Sequence, residues 1–121
     1  MAKDDMLLLA YKILRYLYGC NRAGKVPAFS DLYRALELPG VPVSYLARIL
    51  ESLTGSGYIS GCSVTVTKDA TVITVSENAG LTLDGAAYLT ENGRMQQAAR
   101  AAGRVFEIVL EGVLAAAAAH V

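Results

Sequence analysis

Apolar residues recur at helical spacing near the start of the chain. From Met6 to Tyr18 they fall at i, i+3 and i+4 positions, the pattern of a helix that packs one side on a core. A second apolar stripe runs beside the first and contains Leu7, Tyr11, Leu14 and Tyr18. The pattern predicts a first helix that contacts more than one neighbour, with only a narrow strip around Lys12 and Arg15 in water.

Two shorter helices are predicted next. Ser30 is a good helix-capping residue and stands before a short apolar stretch that ends at Pro39-Gly40. Past Pro42 a third helix runs to Gly55, because apolar residues fall at i, i+3, i+4 and i+7. These residues are Leu46, Ile49, Leu50 and Leu53.

The period of the pattern then changes. Residues 58–67 and 71–75 are rich in Val, Ile and Thr, and Lys68-Asp69-Ala70 separates them, which predicts a β-hairpin. Thr82 is placed to cap a short helix closed by Asn92-Gly93, whose glycine suits a left-handed helix end.

A long helix is predicted from Arg94 to about Ala119. The segment is rich in alanine, the best helix former, and its apolar spacing defines one face. That face consists of Ala98, Ala102, Val105, Phe106, Val109, Leu110 and Val113. The helix is too apolar to stand alone, so we expect it to be covered by other parts of the protein.

The order of these elements is that of a winged helix-turn-helix. The second and third helices form the helix-turn-helix, and the hairpin is the wing. The predicted fold class is α+β, mainly α, with a long C-terminal helix added. We assign residues 1–93 to the winged-helix domain and residues 94–121 to a helical extension used for dimerisation.

Two short stretches resemble family signatures. Gly57-Tyr58-Ile59 directly follows the third helix, and the segment from Leu81 to Leu89 has the form L-T-x-x-G-x-x-Y-L. Both are similar to bacterial winged-helix regulators. The continuation to Gly93 resembles the YjcQ-like family of small winged-helix proteins from bacteria and their phages, and the resemblance covers residues 4–93. It implies this fold and a DNA-binding role, with no known target and no chemistry.

Composition bounds the size of the core. The chain has 121 residues, of which 54% are hydrophobic, and this suits one domain with one core. Its charged fraction of 18% lies below the roughly 25% of typical soluble domains. We therefore expect exposed apolar surface that self-association would cover.

The charge balance is neutral overall and uneven along the chain. Eleven Lys and Arg stand against eleven Asp and Glu. Residues 1–50 hold seven cations and four anions, or +3, so residues 51–121 carry −3. A net charge of zero is atypical of strongly basic nucleic-acid binders. It favours an alternative function, a winged-helix module that contacts only proteins.

The chain offers little for catalysis or metal binding. Cys20 and Cys62 lie in unrelated contexts with no secretion signal, so we expect reduced, partly buried thiols. The single histidine, His120, cannot complete a zinc site with them. The carboxylates show no pairing motif, and no phosphate-binding loop or nucleophile elbow occurs. We predict no enzymatic activity, no cofactor and no metal.

No export or membrane signal is recognisable. The apolar run after Asp4 and Asp5 has the wrong charge order and length for a signal peptide. The C-terminal helix contains Glu107 and Glu111, which argues against a bilayer span. We expect a cytoplasmic protein with no membrane partner.

The outward side of the third helix is the candidate DNA contact. A recognition helix keeps its apolar stripe on the domain and turns the other side to the major groove. That side carries Ser44, Tyr45, Arg48, Glu51 and Ser52. Arg48 can donate two bonds to guanine, although an arginine beside Glu51 is also an ordinary surface pair. Candidates for phosphate contacts are Lys25, Ser30, Arg34 and Lys68.

The predicted function is a transcriptional regulator that binds double-stranded DNA as a homodimer. Its interface would use the second stripe of the first helix and the apolar face of the last helix. The predicted dimer residues are Leu7, Tyr11, Leu14, Tyr18, Val105, Phe106, Val109, Leu110 and Val113. A further alternative is a ligand-sensing repressor, with Tyr11, Tyr18 and Phe106 lining a pocket for an effector that the sequence does not identify.

Overall fold

The computed structural model describes residues 5–36 and 41–118, with side chains as far as residue 115. In chain order the elements are α1 (Met6–Ala23), α2 (Phe29–Ala35), α3 (Val43–Gly55), β1 (Ile59–Val66), β2 (Thr71–Leu81), α4 (Leu83–Glu91) and α5 (Gly93–Ala118). The fold class is α+β and mainly α, with the element order of a winged helix-turn-helix and an additional C-terminal helix. This confirms the predicted architecture.

α1 is longer than predicted. Asp5 caps it, because the carboxylate accepts two hydrogen bonds from backbone N–H groups of the first turn. The helix continues past Tyr18 to Ala23, since Cys20 is buried and extends the apolar face. It ends at Gly24, whose left-handed conformation (φ 70°) is typical of a helix C-terminus.

The side of α1 predicted to face water is covered by α5. Lys12 is only 7% exposed, and its ammonium lies 5.4 Å from the centroid of the Phe106 ring. Arg15 is half-buried, and its guanidinium lies 2.8 Å from the carboxylate of Glu107 on α5. The prediction of a water-exposed strip is therefore wrong for Lys12.

α2 is held in place by a tyrosine of α1. The Tyr16 hydroxyl accepts a hydrogen bond from the Ala28 amide (3.1 Å) and donates one to the Ala28 carbonyl (3.3 Å). Ser30 lies inside the first turn and is exposed, so its predicted capping role is wrong. The capping position belongs to Ala28, which makes no side-chain cap. The predicted end at Pro39-Gly40 lies outside the described residues.

β1 and β2 form an antiparallel hairpin, as predicted. The strands pair from the tip, where Val66 faces Thr71, down to the root. β2 extends to Leu81, well past its predicted end at Val75. The register is irregular between Ser60 and Cys62 of β1, opposite the extra residues of β2. Gly61 lies at this point, and its φ of 82° is a conformation that suits glycine.

Asn21 fixes the root of the hairpin onto α1. Its side-chain amide donates to the carbonyl of Ala79 (3.2 Å), and its side-chain oxygen accepts from the amide of Leu81 (3.0 Å). Gly80 lies between these two residues and leaves no room for a side chain, because a β-carbon there would collide with the Asn21 amide. The hairpin is thereby anchored to the end of α1.

The two sequence signatures join the hairpin root to α4. The Thr82 hydroxyl donates to the carbonyl of Gly57 and accepts from the amide of Gly85 (3.0 Å), which confirms Thr82 as a helix cap. The Tyr58 ring stacks on Tyr88, with centroids 4.2 Å apart. A side chain at Gly85 would collide with the Tyr58 carbonyl. These residues therefore fix the wing between α3 and α4.

α4 passes into α5 without a left-handed residue. Asn92 has an extended backbone (ψ 131°), and its side-chain oxygen accepts hydrogen bonds from the amides of Arg94 (2.9 Å) and Met95 (3.3 Å). Asn92 thus caps α5, and Gly93 is the first residue of that helix. The predicted left-handed helix end at Gly93 is wrong, because Asn92 starts a new helix at once.

α5 is interrupted at Gly103. This residue has φ 70° and ψ −168°, outside the helical region, and it divides the helix into α5a (residues 93–102) and α5b (residues 104–118). The predicted uninterrupted helix is therefore wrong at this position, where glycine tolerates a conformation that other residues rarely adopt. Within the described residues, neither α5 nor any other helix has the length and apolarity that crossing a bilayer requires.

One hydrophobic cluster joins the helices and the hairpin root. Its fully buried side chains include Tyr16 on α1, Leu32 on α2, Leu46 on α3 and Phe106 on α5b. α5 thus packs into the same core as the winged helix. The boundary drawn at residue 93 stays a prediction.

Candidate nucleic-acid interface

The outward side of α3 is exposed to solvent. Ser44, Arg48, Glu51 and Ser52 are all exposed, while the apolar stripe of the helix is buried. Tyr45 is half-buried and packs against the core, so its assignment to the outward side is wrong. Tyr45 borders the apolar stripe, and its side chain is long enough to contact the core. We call Ser44, Arg48, Glu51 and Ser52 the α3 face.

An open groove of about 600 Å³ lies between the α3 face and the hairpin. It is lined by the α3 face, the start of α1 and the outer end of the hairpin. The lining residues are Met6, Ser44, Ala47, Arg48, Glu51, Ser52, Val66 and Thr71. The groove sets the polar side chains of α3 beside the hairpin.

Arg48 has no ion-pair partner in the part of the chain that the structure describes. Glu51 follows it by three residues, but the two side chains form no salt bridge. The surface pair that was the alternative interpretation of Arg48 is therefore not formed. None of the described residues forms an ion pair with this guanidinium, which carries five N–H donors.

Lys25 is occupied within the protein. Its ammonium lies 3.2 Å from the Asp31 carboxylate, donates to the Val113 carbonyl (3.3 Å) and sits 5.5 Å from the centroid of the Tyr16 ring. Only 8% of its side chain is exposed. Its predicted role as a phosphate contact is wrong, because these groups hold the charge away from the surface.

The other predicted phosphate contacts lie at the surface. Arg34 is 63% exposed, although its guanidinium lies 2.7 Å from the Asp31 carboxylate. Ser30 is exposed on α2. Lys68 is exposed at the hairpin tip, next to Asp69. Arg34 and Lys68 keep their charge accessible, but only Lys68 belongs to the hairpin that borders the α3 groove.

The residues predicted for dimerisation divide by burial. Buried within one chain are Tyr11, Leu14, Phe106, Leu110 and Val113, and half-buried are Leu7, Tyr18 and Val109. Because α5 packs on α1, the buried five belong to the core and are not available to a second copy. Val105 is 65% exposed. Ile108, which was not among the predicted residues, is 59% exposed.

The three aromatic residues of the effector hypothesis pack against other side chains. The rings of Tyr11 and Phe106 lie 5.9 Å apart between centroids, at an angle of 59°. The Arg22 guanidinium lies over the Tyr18 ring at 5.6 Å. These contacts explain the rings as packing groups, and an effector stays a prediction.

Both cysteines are buried and unpaired, as predicted. Burial raises the pKa of the Cys20 thiol and of the Cys62 thiol above the usual value. A raised pKa disfavours the thiolate that reacts or binds metal. The two residues therefore behave as small apolar groups of the core.

Comparison with known proteins identifies one related family. A family model described as YjcQ protein matches residues 11–108, from α1 through the hairpin into α5b. The match covers much more than half of the chain and extends past residue 93, where the resemblance in the sequence ended. Neither the curated proteins nor the solved structures contain a match.

Proposed function

This chain belongs to the YjcQ protein family, and we propose that it binds double-stranded DNA through the α3 face. The observation that carries the proposal is Arg48, an exposed guanidinium with no ion-pair partner among the described residues, in the groove beside the wing. Arginine bonded to guanine is the commonest base-specific contact of DNA-binding proteins. The helix-turn-helix arrangement presents such a helix to the major groove.

The α3 face matches the chemistry of a base-reading surface. The major groove is about 12 Å wide and admits a helix, so Arg48 can donate to both O6 and N7 of a guanine. Glu51 can accept from the amino group of a cytosine. Ser44 lies at the start of α3, where helices contact phosphates, and Lys68 can approach the backbone from the hairpin tip.

The proposal includes a homodimer acting in the cytoplasm as a transcriptional regulator. Few cations remain for phosphates beside the α3 face, because Lys25 is occupied and Arg34 shares a carboxylate. The α3 face of a single copy therefore offers little electrostatic affinity, and two copies on two half-sites would supply more. Val105 and Ile108, both exposed on α5b, are apolar side chains suited to this interface.

A binding selection on random duplex DNA tests the proposal. We expect a preferred sequence that contains guanine. Arg48→Ala should relax the preference at one base position, at a cost of about 1–3 kcal/mol. Arg22→Ala is the matched control, because Arg22 is an exposed arginine of α1 away from the α3 face, and it should leave the preference unchanged. If the wild type enriches no sequence at low salt, the proposal is wrong.

A protein-contact module is the second candidate function. Val105 and Ile108 are large, exposed apolar residues on α5b in a chain with no net charge. Such side chains are common anchors of protein interfaces. Light scattering separates the outcomes: a dimer that dissociates on replacing both residues by Asp assigns the pair to self-association. A stable monomer that also enriches no DNA favours a different protein partner.

A further inference from the structure

Three arginines form a basic segment of α5 that the proposed function does not use. Arg94, Arg100 and Arg104 are exposed, and residues 92–106 contain no Asp, Glu or Lys. The segment therefore carries +3 in a chain whose net charge is zero. We call these three residues the arginine face.

The arginine face is not neutralised within the described part of the chain. Arg15 and Arg34 both lie within 2.8 Å of a carboxylate oxygen. The guanidinium groups of the arginine face form no such ion pair with any described residue. Since unpaired arginines raise the local concentration of anions, this surface is suited to an anionic ligand.

The neighbouring side chains indicate which anion fits. The exposed residues among the arginines are Gln96, Gln97, Ala101 and Gly103, whereas Met95 is buried. Between the arginines the surface thus carries no exposed aromatic or large apolar anchor of the kind that dominates the affinity of protein interfaces, and the exposed Val105 and Ile108 follow beyond Arg104. Guanidinium forks pair with phosphate oxygens through two bonds, and glutamine amides add further donors. We infer that the arginine face binds the phosphodiester backbone of duplex DNA without base specificity.

This surface is separate from the α3 face. α5 packs against α1, α2 and α4, whereas α3 packs against α1 and the two strands. Within α5a, Arg94 and Arg100 are six residues apart, which separates them by about 9 Å along the helix axis and by about 120° around it, at 1.5 Å rise and 3.6 residues per turn. Two forks at that separation can contact two different phosphates. The arginine face is therefore a second DNA contact, and it does not require α3 to bind DNA.

Fluorescence anisotropy with a labelled duplex of arbitrary sequence tests the inference over a series of salt concentrations. The variant R94Q/R100Q/R104Q should bind more weakly and lower the log-log salt slope by up to about 2.7, since each neutralised phosphate contributes about 0.9. Glutamine keeps a high helix propensity, and circular dichroism verifies that α5 stays helical. Arg100→Gln and Arg22→Gln each remove one charge, and only Arg100→Gln should lower the slope.

Arg48→Ala distinguishes this inference from the proposed function. If α3 binds no DNA, the random-sequence selection shows no preference and Arg48→Ala binds the arbitrary duplex as the wild type does. In that case the triple variant should still show a smaller log-log salt slope than the wild type. A triple variant with the wild-type slope and affinity would overturn the inference. Wild-type protein that binds polyglutamate but no duplex at low salt would also overturn it, by assigning the face to an acidic protein.

Discussion

The α3 face and the α1–α5 interface are both built on amphipathic helices, but they differ in whether their polar groups are paired within the protein. At the α1–α5 interface the Glu107 carboxylate accepts hydrogen bonds from Arg15 (2.8 Å) and from the Tyr11 hydroxyl (3.4 Å), and the preceding residue, Phe106, is buried. On the α3 face Arg48 is exposed and has no ion-pair partner among the described residues. The first surface is complete within one chain, and the second has hydrogen-bonding capacity left over.

This difference teaches where stability and recognition reside. Groups that are already paired and buried lose packing or hydrogen bonds when they are changed, so substitutions there act on folding. Exposed groups without protein partners contribute little to folding, so substitutions there act on ligands. The three predictions below test this separation in order of expected effect.

Phe106→Ala should produce the largest loss of stability. The side chain is 1% exposed and packs between α1 and α5b, so truncation leaves a cavity that costs about 3–5 kcal/mol. Ser52→Ala on the α3 face is the control and should change the free energy of unfolding by less than about 0.5 kcal/mol. Urea denaturation measures both. Equal effects of the two substitutions would remove the distinction between the surfaces.

Gly85→Ala should cost about 1–3 kcal/mol, because the new methyl group would collide with the Tyr58 carbonyl. A backbone carbonyl cannot rotate away as a side chain can. Gly55→Ala, at the end of α3, is the matched control, since no atom outside its own helix neighbourhood lies within 4 Å of the new carbon. It should stabilise the protein by about 0.4–1 kcal/mol. Thermal unfolding measures the stability of both variants. A Gly55→Ala variant that is less stable than the wild type would contradict this account.

Tyr16→Phe should change how stability depends on pH. Burial raises the pKa of the Tyr16 hydroxyl above its unfolded value of about 10. Stability from this group is therefore complete below pH 10 and falls as the pH rises toward the folded pKa, by up to about 1.4 kcal/mol per pH unit. At neutral pH the variant should be less stable by about 1 kcal/mol, because it lacks the two hydrogen bonds to Ala28. At alkaline pH its stability should fall less steeply than that of the wild type. Parallel alkaline curves for the two proteins would contradict this account.

Much of the architecture could be predicted from periodicity alone. The change from helical to strand period and back places every element, because the core requires one apolar face from each. The local backbone geometry was harder to predict. Gly93 and Gly103 both belong to α5, but of the two only Gly103 has a positive φ. A glycine alone does not show whether it starts a helix or breaks one, since glycine tolerates the backbone conformation of both. The signal that the sequence offered was Asn92, a capping residue directly before Gly93.

The candidate site was predictable only in part. The exposure of Arg48 follows from its position opposite the apolar stripe of α3. The burial of Lys25 does not follow from its neighbours, because Asp31 and the Val113 carbonyl approach it only in the folded chain. The second stripe of α1 posed a similar difficulty. A stripe shows that something covers it, and whether this is α5 or a second copy depends on tertiary packing.

The anchoring of the hairpin by Asn21 has a consequence for solubility. A side-chain amide offers one donor side and one acceptor side, like a peptide group. By bonding to Ala79 and Leu81, Asn21 occupies the place that a neighbouring strand would take along β2. Open strand edges are templates for aggregation. One asparagine thus closes the root of β2 to incoming chains, so that the open edge of this strand is confined to its outer part.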